Sequence, residues 1–122
     1  MKRDFDLIRK ILLTMEAHEH GFLRDELRID GYNDEQIAFH MYLLGEAGLV
    51  KAVENTHILS ESPSALPLNL TWAGYEFLEA AKDDTLWGKA KERVIKPAGG
   101  VAFGVLVEWL KAEAKSRLGL PL

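Results

Sequence analysis

The sequence predicts a mainly α chain with one small β element, an α+β class, and three observations predict it. Apolar residues recur at helical spacing in five stretches between Asp4 and Leu118. Only residues 49–53 and 67–70 read as strands, and "ENTHILSESPSAL" between them has no helical period. At 48% hydrophobic and 28% charged over 122 residues, the composition is that of a globular chain long enough to bury a core.

The first helix is expected over residues 4–17, with Leu7, Ile8, Ile11, Leu12 and Met15 in one stripe and Arg9, Lys10 and Glu16 off it. "HEHG" breaks that pattern, with Gly21 as a stop. Residues 22–30 are open between a short strand, a short helix, and one running into the other. The next helix, over residues 34–47, is the clearest: Asn33 can cap it and Gln36, three residues on, can close a capping box. Its inward face is Ile37, His40, Met41, Leu44 and Ala47. Gly48 can take the left-handed conformation that ends it, and Leu49 supplies the hydrophobic contact.

A wing of two strands follows over about residues 49–70, its tip formed by the Ser- and Pro-rich loop. Thr71 is placed to cap a further helix whose inward face is Gly74, Phe77, Leu78 and Ala81, with Trp72 packing at its start. Another helix, "TLWGKAKERVIK", sets Leu86, Trp87, Ala90 and Val94 on one side, and Pro97, Gly99 and Gly100 end it. The last helix, over about residues 101–118, places Phe103, Leu106, Val107, Leu110, Ala114 and Leu118 on one face and Ala102, Val105, Trp109 and Ala112 on the next. This order is that of a winged helix-turn-helix with two C-terminal helices. The body covers residues 1–83, and residues 84–122 form a helical extension packing on the same domain.

"HMYLLGEAGLV" and "LTWAGYEFL" are general hallmarks of winged helices. Together with "MKRDFDLIRKIL", "GYNDEQIAFHMYLLGEAGL" and "LTWAGYEFLEAAKDDTLW" in this order, the chain more closely resembles a bacterial and phage-associated family, the domain of unknown function 2513. The resemblance covers most of residues 1–87 and implies a winged-helix fold with no established activity and no catalytic residue to carry over. One departure from the usual motif is that its second helix is compressed into "LRDELRID".

Charge bears on what the wing-bearing half recognises. Residues 1–61 hold seven Lys/Arg against twelve Asp/Glu, whereas residues 62–96 balance at five each. No cation lies between Gly31 and Val50, so the helix in the recognition position is acidic, against docking on a duplex, whose non-specific affinity comes from phosphate neutralisation. Its outward positions, Glu35, Ala38, Phe39, Tyr42 and Leu43, suit a protein surface better than a DNA groove. The candidate interaction surface is therefore Glu35, Phe39, Tyr42 and Leu43. The best basic stripe is Lys82, Lys89, Arg93 and Lys96, one face if the helix continues across Asp83 and Asp84. It supplies the alternative, phosphate contacts of a DNA-binding regulator, together with Lys/Arg of the first helix. Gly100, Gly104, Val105 and Trp109 on the apolar last helix are candidates for self-association.

Enzyme chemistry lacks parts: there is no cysteine, phosphate loop, HExxH or clear serine and histidine pair. His18, His20, His40 and His57 do not have metal-ligand spacing, and His40 is expected to be a hydrogen-bonded histidine at the edge of the core. No cofactor, metal or small-molecule ligand is expected. The first 20 residues carry acids and resemble neither a signal nor a transit peptide. "PAGGVAFGVLV" is shorter than the roughly 20 residues of a membrane span, so no integral membrane association is expected. The expectation is a cytoplasmic, non-enzymatic winged-helix module that binds a protein partner or a second copy.

Overall fold

A computed structural model describes residues 1–23, 25–98 and 103–119. The elements are α1 (Phe5–Ala17), α2 (Asp34–Glu46), β1 (Val50–Glu54), β2 (Ala65–Leu70), α3 (Trp72–Ala81), α4 (Asp84–Ala90), a π-helical turn (Lys91–Ile95), α5 (Lys96–Ala98) and α6 (Phe103–Arg117). The fold is mainly helical with a small antiparallel two-stranded sheet as its wing. By packing, the chain divides into two compact units, Met1–Glu76 and Phe77–Leu122, with the division inside α3.

In the first unit, α1 packs on α2 and β2, and α2 packs on both strands. Asp4 caps α1: its Oδ1 accepts from the Leu7 N–H at 3.1 Å. Its own N–H donates to Nε2 of His40 at 2.9 Å, and its Oδ2 accepts from the Tyr32 hydroxyl at 3.1 Å. Because Nε2 of His40 is an acceptor, the ring proton sits on Nδ1, which donates to the Gln36 carbonyl at 2.8 Å. His40 lies inside the core, 1% exposed, and not at its edge. Burial and the bond to Asp4 push the Tyr32 phenol up to about 12.

Asn33 and Gln36 close the capping box of α2, each at 2.9 Å. At its other end the Gly48 N–H donates to the Gly45 carbonyl and the Leu49 N–H to the Leu44 carbonyl, with Gly48 at φ 76. This is the paired-bond glycine stop. Ile37, His40, Met41 and Leu44 are buried as expected, but Ala47 is exposed, because the returning chain puts Leu49 into the core instead.

The stretch left open in the sequence takes neither form: no helix or strand occurs among the described residues between α1 and α2. What survives is one ladder-like bond, from the Leu23 N–H to the Leu68 carbonyl at 2.9 Å. Leu68 is the extra residue of a β-bulge, since Lys51 pairs with Asn69 and Ala52 with Pro67. Nor does Gly21 stop α1, which ends at Ala17 with His18 in an extended conformation.

The Thr71 hydroxyl accepts from the Gly74 N–H at 3.1 Å and donates to the Gly48 carbonyl at 2.6 Å, so it caps α3 and ties it to the α2 exit. Gly74 lies against the Leu49 carbonyl so closely that a Cβ would land on that oxygen. Trp72 was expected to pack at the helix start and is instead 81% exposed. It lies two residues, about 200° of helix, from the inward Gly74.

In the second unit, Phe77, Leu78, Ala81, Leu86, Trp87, Ala90, Leu106 and Leu110 are buried, and the Phe77 and Phe103 rings lie 5.0 Å apart. Helix α3 does not run on into α4. Asp83 is extended and caps α4 through the Leu86 N–H at 2.8 Å, a bond that holds its carboxyl below the usual range with help from Arg117. Pro97 was expected to end the following helix, yet helical structure continues to Ala98. A proline ring has no N–H and presses on the carbonyl four residues back. The wider π turn over Lys91–Ile95, with the Lys96 N–H reaching the Lys91 carbonyl, makes room for it. Val94 and Val107 are half-buried, while Leu118, in the turn after α6, is exposed. Gly99, Gly100 and Ala102 lie outside the described residues.

Four substitutions test these contacts. Replacing His40→Leu keeps the volume but strands the Asp4 N–H, and should cost about 1–3 kcal/mol in urea unfolding. Gly74→Ala should cost a similar amount or more through its clash with backbone, whereas Gly88→Ala, which meets nothing within 4 Å on α4, should stabilise by roughly 0.5–1 kcal/mol. The raised Tyr32 pKa stabilises the fold fully below pH 10, the ordinary phenol value, and that stability is lost as pH rises through about 12. Tyr32→Phe should therefore flatten the alkaline fall in the urea midpoint between those limits.

Candidate interaction surface

The α2 face predicted to point outward is only partly open. Glu35 is exposed, while Ala38, Phe39, Tyr42 and Leu43 are half-buried. Phe39 meets the His40 ring edge-on at 5.7 Å. The Tyr42 hydroxyl donates to Glu46 at 3.3 Å, and that carboxylate, above all, raises the phenol's pKa. Glu35 accepts from the Ser62 hydroxyl at 3.0 Å, which fastens the descending arm of the wing to the first turn of α2.

The wing is held along its length. Below the tip, the Asn55 N–H donates to the Ser64 carbonyl at 3.1 Å, the Ser64 N–H to the Thr56 hydroxyl at 3.0 Å, and the Ser64 hydroxyl to the Asn55 amide oxygen at 2.7 Å. The tip is a turn: the Ser60 N–H donates to the His57 carbonyl at 3.0 Å and the His57 N–H to the Ser60 hydroxyl at 2.9 Å. Its two central residues are Ile58, 100% exposed, and Leu59, 89% exposed. A built turn thus holds two large aliphatic side chains in water, and no cation lies between Ala52 and Ala81 to offer phosphate contacts there.

The register sorts the wing into two faces. Val50, Ala52, Ala65, Pro67 and Leu70 form the inner one, with Ala52 against Gly45 of α2. Lys51 with Asn69 and Val53 with Leu66 form the outer one, and Val53 and Leu66 are each about half exposed. At the base of the wing lies an open cleft of about 750 Å³, walled by Phe22, Leu70 and Tyr75 and edged by His20, Lys51 and Asn69. Lys51 is the lone Lys/Arg between Ile29 and Ala81, and no partner for its ammonium occurs among the described residues. A second cleft, of about 270 Å³, carries Asp25, Glu26 and Asp34 around Leu27, Ile37 and Met41.

The basic stripe does not assemble as one face. Lys82 lies beyond the end of α3 and pairs with Glu79 at 3.3 Å, and the Asp83 cap separates it from Lys89. Lys96 pairs with Glu92 at 2.6 Å, lowering the Glu92 pKa, and the π turn alters the helical phase between Lys89 and Lys96. On α6, Gly104 and Val105 are exposed and Trp109 is half-buried; a Cβ on Gly104 would meet nothing within 4 Å. Gly100 lies outside the described residues. Among those described, no three His, Asp or Glu side chains gather where a metal could bind, and no helix is long and apolar enough to cross a membrane.

A family model described as hypothetical protein (DUF2513) matches residues 2–101, most of the chain. The chain belongs to the DUF2513 family. A relative from Haemophilus influenzae named "Uncharacterized protein" is 35% identical over 97 residues, which is 77% of this DUF2513 chain and 79% of the relative. No solved structure matches it.

In the sequence Ile58 and Leu59 are loop residues, and no pattern there marks Phe22, Lys51 or Tyr75 as part of a site. An aliphatic pair inside an otherwise polar loop was the available signal for the tip. For the cleft there was none, because its walls come from segments that only the bulged register brings together. In this family member, Glu46→Gln should lower the Tyr42 pKa toward 10, as read by the aromatic resonances of Tyr42 across an alkaline titration.

Proposed function

We propose that the chain is a non-enzymatic, cytoplasmic protein-binding module with a regulatory role, and that it engages its partner through the wing and the first turns of α2. The exposed pair Ile58 and Leu59 carries this reading. Exposed aliphatic groups on a built turn are unfavourable in water and make strong anchors once a partner covers them. Glu35, Glu54 and Glu61 stand on or beside the wing, so the complementary surface is apolar at its centre and offers a cation at its edge. A chain without cysteine suits a reducing compartment.

DNA binding is the second reading. Among the described residues no carboxylate pairs with Lys89 or Arg93, in contrast to Lys82 and Lys96. A mobility shift on random duplex separates the readings. The expected outcome is no salt-sensitive binding at physiological salt; tight binding that falls steeply with salt, and that is lost on replacing Lys89, Arg93 and Lys96 by Glu, would overturn the protein-binding reading. With a photocrosslinking residue at position 58, crosslinks to protein should form in the native host, and a probe at Lys10 should give none of the same products.

A further inference from the structure

The exposed apolar side chains of the wing form a strip with a receptor at one end and a projection at the other. At the base is the cleft walled by Phe22 and Tyr75, which are 53% and 43% exposed. Midway, on the outer face, stand Val53 and Leu66, cross-strand partners. At the tip are Ile58 and Leu59, with Glu61 two residues on. The tip cannot fill its own cleft, because the seven residues from Lys51 to Ile58 carry it away at roughly 3.3 Å per residue.

We propose that this face binds a second copy of the chain, two wings packing outer face to outer face in opposite directions, with each Ile58–Leu59 tip in the partner's cleft. The proposal rests on the protein-binding reading and names the partner. A two-fold axis through the middle of the strip sets Val53 and Leu66 against their own counterparts and forms the tip-in-cleft contact twice, so the assembly closes as a dimer. Charge matches shape. Lys51, without a partner among the described residues, edges the cleft that receives a tip carrying Glu61, so each acidic tip meets a cation at the partner's cleft. This places self-association on the wing, whereas the sequence alone pointed to the last helix.

Sedimentation equilibrium of the full chain tests it. The wild type should show a concentration-dependent dimer. Ile58→Asp with Leu59→Asp should weaken it by about thirtyfold or more, the loss of an interface anchor. Lys51→Glu and Glu61→Lys should each weaken it by about tenfold, and the chain carrying both reversals should regain the wild-type constant. Mixing the tip variant with Phe22→Asp, each weakened alone, should yield a heterodimer tighter than either homodimer through the one intact contact. All five positions are exposed to solvent, and unchanged thermal unfolding of each variant shows that the fold is kept. A wild type that stays monomeric at every concentration, or a double reversal no tighter than either single one, overturns the proposal. If the chain is monomeric while position 58 crosslinks to a different protein, the dimer fails and the protein-binding reading stands; absence of both fails the two together.

Discussion

The hydrogen bond from the Asp4 N–H to Nε2 of His40 is the constraint on which the first unit depends. Its acceptor is buried at 1% exposure and its donor is half-buried, so the ring nitrogen cannot exchange the bond for water without a penalty. It also selects the tautomer of His40, and through Nδ1 joins the ring to the Gln36 carbonyl. Gln36 in turn closes the capping box with Asn33, while the Asp4 carboxylate caps α1 and receives Tyr32. The starts of α1 and α2 are thereby one network, and every polar group of that network has its partner.

From α2 the constraint passes to the wing. Gly45 lets Ala52 approach, the glycine stop at Gly48 turns the chain into β1, and Thr71 ties the exit of β2 back to the Gly48 carbonyl. Ser62 on Glu35 fixes the far arm. A hairpin of two strands is marginal by itself in water, and here these side-chain bonds supply what a third strand would otherwise give. The Leu23 N–H on the Leu68 carbonyl is a single bond in the place where that strand would lie. With so little chain given to it, the segment leaves Phe22 half exposed and opens the cleft beside Lys51 and Tyr75.

The surface follows a consistent division. Acidic groups line the first turns of α2 and the wing arms, apolar groups stand on the outer face and tip, and most cations lie after Ala81. A duplex asks for the reverse arrangement, with cations on the wing and the helix before it.

The sequence by itself determined what is local. The stripe of α1, the Asn33–Gln36 box, the Gly48 stop, the Thr71 cap and the inward faces of α3 and, Ala47 apart, of α2 all depend on residues within a few positions of one another, and pattern and capping chemistry resolve them. His40 was legible as a hydrogen-bonded histidine, but not its partner, which lies 36 residues away. Tertiary structure alone decided that the described residues between α1 and α2 form no element, that Asp83 separates Lys82 from the cations beyond it, and that Pro97 follows a widened turn. It also decided that Trp72 faces water while α2's supposed outer face is half covered. In each case the outcome turns on which surface another segment already occupies, and a one-dimensional pattern carries no record of that. The outer face of the wing is the same kind of fact: the one-residue bulge sets which wing residues share it, and Phe22 reaches the cleft at its base from outside the hairpin.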